Sequence, residues 1–504
     1  RRSTSAAPRL AVLEARVTTG DPASTGGRPA LQRKWLVLAT VMVGTFMGPL
    51  DGSVVNIALP TLTEFFGVPI STVEWVVLAY LLGVSTLLLT FGRLGDMLGL
   101  KRIYLLGFAI FGAGSLACAF SWSIWALVGF RVVQAIGAGL LFAVGPAIIT
   151  QNFPPQERGR ALGFLGISVA AGLAVGPTLG GLIIGVAGWP WIFIINVPVS
   201  LLAFVMAWRV LPARVPQGQR FDPYGAVLSF LTLFPVLLVL SKGETWGWTS
   251  PAVIGLAVLA ATSGVLFVWT ELRVAQPVLD LRLFRIRVFS ASVASALGSY
   301  IVTATIIFLL PFYLMKVRGF SVQHAGLLLT PIPLATAIVG PFSGSLSDRI
   351  GSRFLSTLGL LISMVGVVSF MSLSLTTSTL GIAVRVLVPG IGMGLFQPPN
   401  SSAIMGAVPR DRLGIASGMV ATARNVGMVL GVGMAGLVLS VRGPVYEQRF
   451  LTTLPPDLAA KEAFLHAMHD ALIVAAVVCA LAALASLVRG DTSVRPSGQP
   501  VSPS

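Results

Sequence analysis

Gly92-Arg93-Leu-Gly-Asp96-Met-Leu-Gly99-Leu-Lys101-Arg102 returns 252 residues later as Gly344-Ser-Leu-Ser-Asp348-Arg349-Ile-Gly351-Ser-Arg353, with Gly, Leu, Asp and Gly at equal intervals. Each copy follows an apolar stretch and combines a carboxylate with basic residues. A second echo, in register to within one residue, joins Arg131-Val-Val-Gln134-Ala-Ile-Gly137-Ala-Gly139 to Arg385-Val-Leu-Val-Pro-Gly390-Ile-Gly392-Met-Gly394. Two echoes in the same order describe a duplicated chain, and duplication is a common architecture of membrane carriers.

Composition agrees. With 504 residues, 55% hydrophobic and only 10% charged, and a mean hydropathy of +0.88, the chain does not fit a soluble globular class. A helix needs about 20 apolar residues to cross a bilayer. Fourteen stretches meet that length, near 35–59, 73–92, 103–121, 123–149, 161–187, 190–211, 224–241, 251–270, 288–315, 324–346, 354–374, 379–407, 414–441 and 467–488. The halves are then six spans each, 35–211 and 288–488, with two further spans in the segment 212–287 between them.

Lys and Arg collect in cytoplasmic loops, which gives the count an independent test. With both termini inside, the inner segments hold 25 of the 34 basic residues and the outer loops six, which leaves Arg131, Arg385 and Arg424 inside spans. The net charge of +16 is therefore an orientation signal and an attraction to anionic lipid, with no need of nucleic acid. Residues 1–34 and 489–504, rich in Pro, Ser and Arg, read as disordered cytoplasmic ends. The absence of an initiator Met leads us to expect a truncated or processed start. Cys118 and Cys479 have no motif spacing and read as buried small hydrophobes, and no metal site is implied.

At these motifs the sequence resembles the major facilitator superfamily, and within it the fourteen-helix drug:proton antiporter branch, from about residue 35 to 488. The stretches Gly92 to Arg102 and Gly344 to Arg353 are similar to the family's paired cytoplasmic loop signatures, and Arg131, Gln134, Gly137 and Gly139 to its fourth-helix signature. Gly172, Gly176, Pro177, Gly180 and Gly181 resemble the fifth-helix antiporter signature; Leu50-Asp51-Gly-Ser-Val-Val-Asn56-Ile-Ala-Leu-Pro60 and Trp189-Pro-Trp191-Ile-Phe-Ile-Ile-Asn196-Val-Pro198 resemble branch motifs of the first and sixth helices. Met97, Leu100 and Pro190 depart from positions that are usually basic. The resemblance implies an all-α membrane protein of the major facilitator fold, two six-helix bundles plus two central helices.

An ionised side chain is costly in hydrocarbon, so Asp51 is a functional candidate in its own right. Counted from the outer ends of the first and fourth spans, Asp51 and Arg131 lie at matching depths, roughly 13 Å at 1.5 Å per residue. The two form a candidate proton switch, in which Arg stays charged while the carboxyl responds to its distance from the cation; a static ion pair is the alternative. The second half has no matching acid, only hydroxyls around Ser299 to Thr305. Gly92, Arg93, Asp96, Gly99, Lys101 and Arg102, with Asp348, Arg349 and Arg353, are expected to form cytoplasmic gating loops whose salt bridges close that side. The four-residue glycine spacing at 172, 176 and 180 makes a close-packing face, read as the place where the halves meet, with a bend at Pro177. Asn56, Gln134, Asn196, Arg385, Gln397, Asn400 and Arg424 are candidates for lining a substrate cavity, or else interhelical ties. Glu74 is either a proton relay to Asp51 or an interfacial charge.

The expected function is proton-coupled export of hydrophobic or amphiphilic drugs, antibiotics or secondary metabolites across a bacterial cytoplasmic membrane. The carrier is expected to be a monomer driven by the proton gradient without a cofactor, with membrane lipids as its other partners. No phosphate loop supports an ATP-driven pump, and no catalytic constellation supports an enzyme. A lipid or glycolipid flippase, or a non-transporting sensor on the same fold, is the alternative.

Overall fold

The computed structural model describes residues 27–213, 221–247, 249–274, 277–320 and 322–490. The expected disordered segments before residue 27 and after residue 490 lie outside it, as do Arg214 and Arg220. Backbone polar groups find no water in hydrocarbon, so a chain this apolar satisfies them within helices. The first bundle comprises α1 (Gly27–Phe66), α2 (Ile70–Leu98), α3 (Leu100–Ala119), α4 (Ile124–Asn152), α5 (Arg158–Ala187) and α6 (Trp191–Val210). Two central helices follow, α7 (Pro223–Trp246) and α8 (Pro251–Glu271). The second bundle comprises α9 (Arg287–Val317), α10 (His324–Ile350), α11 (Ser352–Phe370), α12 (Thr379–Gly406), α13 (Leu413–Phe450) and α14 (Pro456–Val488). Among the described residues 13 of these are long and apolar enough to cross a membrane, and α5 adds a further helix of 30 residues.

Several boundaries differ from those expected. Helix α1 begins at Gly27, inside the segment 1–34 expected to be disordered, because Pro29 suits a first helical turn and Lys34 is held by an ion pair with Glu157. The segment 442–466, expected as a loop, is largely helical, since α13 runs on to Phe450 and α14 starts at Pro456.

The stretches 93–102 and 349–353, expected as loops, are helix ends that meet at the single residues Gly99 and Gly351; they lie at one end of the bundles, here called the basic end. Gly99 and Gly351 turn the chain there with φ of +94° and +88°, a left-handed region that costs glycine nothing. Apolar packing at this end runs through both bundles: Leu88, Val144 and Leu162 join Leu283, Ile404, Ile415 and Ala416 in one buried cluster. Toward the opposite end the bundles have separate cores, one around Val54, Leu62, Val73, Leu127 and Phe193, the other around Leu309, Tyr313, Leu360, Phe396 and Leu472. Helix α7 lies against the first bundle's α2 and the second bundle's α13, through Leu237, Leu238 and Phe234 on Leu82 and Val429.

Candidate functional site

Arg131 and Gln134 stand three residues apart and so share a face of α4; Ser115 and Cys118 do the same on α3, and Val76 and Tyr80, four apart, on α2. These faces converge on Asp51. Arg131 Nη1 donates to Asp51 Oδ2 at 2.5 Å and to Gln134 Oε1 at 2.5 Å, while Nε donates to the Val76 carbonyl at 3.0 Å. Gln134 Nε2 and Asn196 Nδ2 each donate to Asp51 Oδ1 at 2.9 Å, and Gln134 Nε2 also reaches Ser115 Oγ at 2.7 Å. The guanidinium lies over the Tyr80 ring, 4.1 Å from its centroid. Both charged side chains are 0% exposed. Arg131 Nη2 and the Tyr80 hydroxyl are buried without a hydrogen-bond partner.

Protonating Asp51 cancels its attraction to Arg131 and leaves a buried guanidinium without a counter-charge, which costs several kcal/mol unless the helices rearrange. Gln134 and Asn196, expected at a substrate cavity, are thus bound to the carboxylate instead. Nothing in the sequence around Ser115 or Tyr80 marks them as neighbours of the site; only the meeting of α2, α3 and α4 does so.

At the basic end, Asp96 Oδ1 and Oδ2 accept hydrogen bonds from the backbone N–H groups of Gly414 at 2.6 Å and Ile415 at 2.9 Å, the first turn of α13. Asp348 does the same for α5, taking Gly159 N at 3.0 Å and Arg160 N at 3.2 Å. Each signature acid therefore caps a helix of the opposite bundle, where unpaired N–H groups and the helix dipole favour an anion. The expected salt bridges are absent: neither carboxylate makes an ion pair among the described residues. Arg102 and Arg349 are exposed. Lys101 Nζ donates to the Trp208 and Leu211 carbonyls, and Arg353 Nε to the Leu487 carbonyl, so these equivalent residues tie down the ends of α6 and α14. Arg93 is buried beside Asp96. Glycines permit the crossing. A Cβ on Gly344 would stand 2.1 Å from the Gly159 carbonyl oxygen, and one on Gly92 2.3 Å from that of Gly414.

The glycine series of α5 faces elsewhere than expected. Gly172, Gly176 and Gly180 lie against Phe46, Ser53 and Val54 of α1, inside one bundle, and Gly181 meets nothing within 4 Å. The face that meets the other bundle carries Gly159 and Gly163, against Gly344 and Gly340 of α10. Nine residues at about 100° each separate Gly163 from Gly172 by half a turn, so the two glycines point to opposite sides. Pro177 lies within α5, and its side chain is outside the described residues.

The remaining cavity candidates divide. Asn400 donates to the Ser292 carbonyl and accepts from Arg489, so it is an interhelical tie. Arg385 binds Ser369, Ser372 and Gly381 at the end away from the basic loops, again as a tie. Asn56 is exposed and Gln397 half-buried. Arg424 reaches across to the first bundle and lies 5.6 Å from the Phe142 ring centroid. Glu74 pairs with Lys242 of α7 at 2.8 Å and so ties the central helices to the first bundle.

The description Major Facilitator Superfamily matches residues 41–432. The chain belongs to the major facilitator superfamily. It is a multi-pass membrane transporter and not an enzyme. Among relatives in this superfamily it is 34% identical to the riboflavin transporter RibZ of Clostridioides difficile, over 89% of this chain and 96% of that one. It is 33% identical to the multidrug resistance protein Stp of Mycobacterium tuberculosis (strain CDC 1551 / Oshkosh), over 80% of this chain and 76% of that one. The crystal structure of the human organic anion transporter MFSD10 shares the major facilitator fold, with a TM-score of 0.60 at 17% identity over 88% of this chain and 99% of that one.

Proposed function

We propose that the protein exports hydrophobic or amphiphilic molecules in exchange for protons by alternating access, with the basic end facing a bacterial cytoplasm. The observation that carries the reading is the closed Asp51, Arg131, Gln134 and Asn196 network, a titratable group with a fixed counter-charge sealed inside the first bundle. Its relatives include a multidrug resistance protein. In the arrangement seen, the capped helices shut the basic end. When the bundles rock apart at that end, Asp96 and Asp348 leave their helix termini. Proton uptake at Asp51 from the opposite side, followed by release to the cytoplasm, would drive the cycle in the direction of export. Arg424, with its cation set between the bundles, is the residue we assign to the substrate path.

The likeness to a riboflavin transporter supports a second reading, in which a planar heteroaromatic metabolite is the cargo. Proteoliposomes under an imposed pH gradient distinguish these readings. We expect lipophilic cations or polyketide-like compounds to move against the gradient with measurable proton counterflow, and Asp51→Asn to abolish gradient-driven accumulation while retaining substrate exchange. Transport of riboflavin alone favours the second reading. Normal coupling in Asp51→Asn refutes the assignment of Asp51.

A further inference from the structure

The basic end holds another buried carboxyl pair, outside the Asp51 network. Asp222 caps the start of α7, its Oδ1 accepting from Gly225 N at 3.0 Å. Glu271 closes α8 and accepts from Leu279 N at 3.3 Å through Oε2. Both residues are about nineteen-twentieths buried, at 5% and 4% exposure. Their second oxygens, Asp222 Oδ2 and Glu271 Oε1, have no hydrogen-bond partner. Each of these two oxygens stands 2.6 Å from the point where a Cβ on Gly225 would sit, so both converge on one side of that glycine.

Two buried carboxylates at such range cannot both stay ionised without strong repulsion. A single proton would answer both deficiencies, with an O–H on one oxygen donating to the other. The helix ends decide which residue carries it. Asp222 lies at an N-terminus, where the dipole favours an anion, and Glu271 at a C-terminus, where it opposes one.

We propose that Asp222 and Glu271 form a second titratable site, which holds one proton on Glu271 Oε1 against Asp222 Oδ2 and makes closure of the basic end depend on the pH of that face. The groups surrounding it support the link. Arg93 of the α2 loop signature acts electrostatically on Glu271, and Arg93 in turn feels Asp96, Asp411 and Arg412. The segment after α8 is fastened to the start of α13 by the Asp280–Arg412 ion pair. While Glu271 is neutral, Arg93 is left to Asp96 and the central helices sit quietly against the closed end. Once Glu271 ionises, it repels Asp222 and competes for Arg93, and this loosens the contact that Asp96 makes with α13. A proton held in the closed arrangement and lost on opening favours closure below its titration point and opening above it. The inference shares with the proposed function only the reading of the basic end as a gate, and it does not depend on substrate or on Asp51.

Infrared difference spectroscopy on the purified full chain in nanodiscs, with Asp51→Asn as background, tests the site. We expect a protonated-carboxyl band at neutral pH that is lost on alkalinisation, lost at neutral pH in Glu271→Gln, and shifted in frequency and titration in Asp222→Asn. If either substitution prevents folding, glutamate carboxyl-13C labelling of the background chain replaces it, and the band should shift with the label. A second readout is thiol labelling of Ser347→Cys at the closed contact. Relative to a free thiol labelled at the same pH, it should rise with pH in the background chain and stay level in Glu271→Gln. No band at neutral pH, a band untouched by both substitutions or by the label, or an unchanged pH profile in Glu271→Gln overturns the proposal. Failure of the parent chain to transport, with the band and the labelling changes present, bears on the export reading alone.

Discussion

At the scale of the residue, the first bundle buries a full charge pair where the second, among the described residues, has none. Arg131 satisfies five neighbours' worth of chemistry at once: a carboxylate, an amide oxygen, a backbone carbonyl and two aromatic faces. A lysine keeps the charge but gathers its three donors on one nitrogen in place of a planar fork, so it does not reproduce the contacts that Nη1 and Nε make to Asp51, Gln134 and Val76. Arg131→Ala should cost about 3–5 kcal/mol by leaving Asp51 unpaired, and Arg131→Lys should retain the fold while losing most gradient-driven transport. Thermal unfolding in detergent and uptake assays on the same preparations check both outcomes. Asp51, Arg131 and their matching depth were legible in the sequence because a charge in an apolar span is conspicuous. Gln134 and Asn196 were legible only as polar, since nothing in their spacing says whether an amide turns to a cavity or to a neighbouring carboxylate.

At the scale of the element, helices α5 and α10, and α2 and α13, touch backbone to backbone, and in the proposed alternating-access cycle closure depends on these contacts. A side chain at Gly159 would meet the Gly344 carbonyl at 2.5 Å and Ser347 Oγ at 2.8 Å. Gly159→Leu should therefore hold the basic end open. A Ser347→Cys reporter, at a position 6% exposed in the closed state, should pass from protected to rapidly labelled by a thiol reagent in the Gly159→Leu background. The native Cys118 and Cys479 are buried and add little signal. Sequence periodicity identified a small-residue face on α5, yet the stretch that drew notice, residues 172 to 180, packs on α1 within its own bundle. The helix carries two glycine faces half a turn apart, and a one-dimensional pattern does not say which neighbour each will meet.

At the scale of the whole molecule, the duplication reappears as a crossed pair of clamps. Asp96 of the first half caps a helix of the second, and Asp348 of the second half caps one of the first. Each charge at a helix terminus contributes about 0.5–1 kcal/mol over its neutral amide. The two clamps share no residue, so their effects should add. Asp96→Asn with Asp348→Asn should shift the closed state toward open by about 1–2 kcal/mol, a factor of roughly 5–30 in population. Labelling rates of the Ser347→Cys reporter in the single and double variants measure this shift. A double variant no more open than either single one would show that the clamps do not act independently. The central helices join this frame unevenly: Lys242 binds Glu74 of the first bundle at one end of α7, while Asp280 after α8 binds Arg412 of the second.

The amino-acid sequence alone determined the class, the number of long helices, the two-fold repeat and the intramembrane acid, because each is written locally: apolar length, motif spacing, a charge out of place. Only the tertiary structure decided what the carboxylates touch. Asp96 and Asp348 sit among basic residues in the chain, and a salt bridge was the natural reading. In the fold, the N-terminus of a helix from the other bundle lies closer, and it offers two aligned N–H groups that no nearby cation matches. The Asp222 and Glu271 pair was equally hidden. Their juxtaposition spans 49 positions of sequence and arises because α7 and α8 run antiparallel, which brings the start of one beside the end of the other.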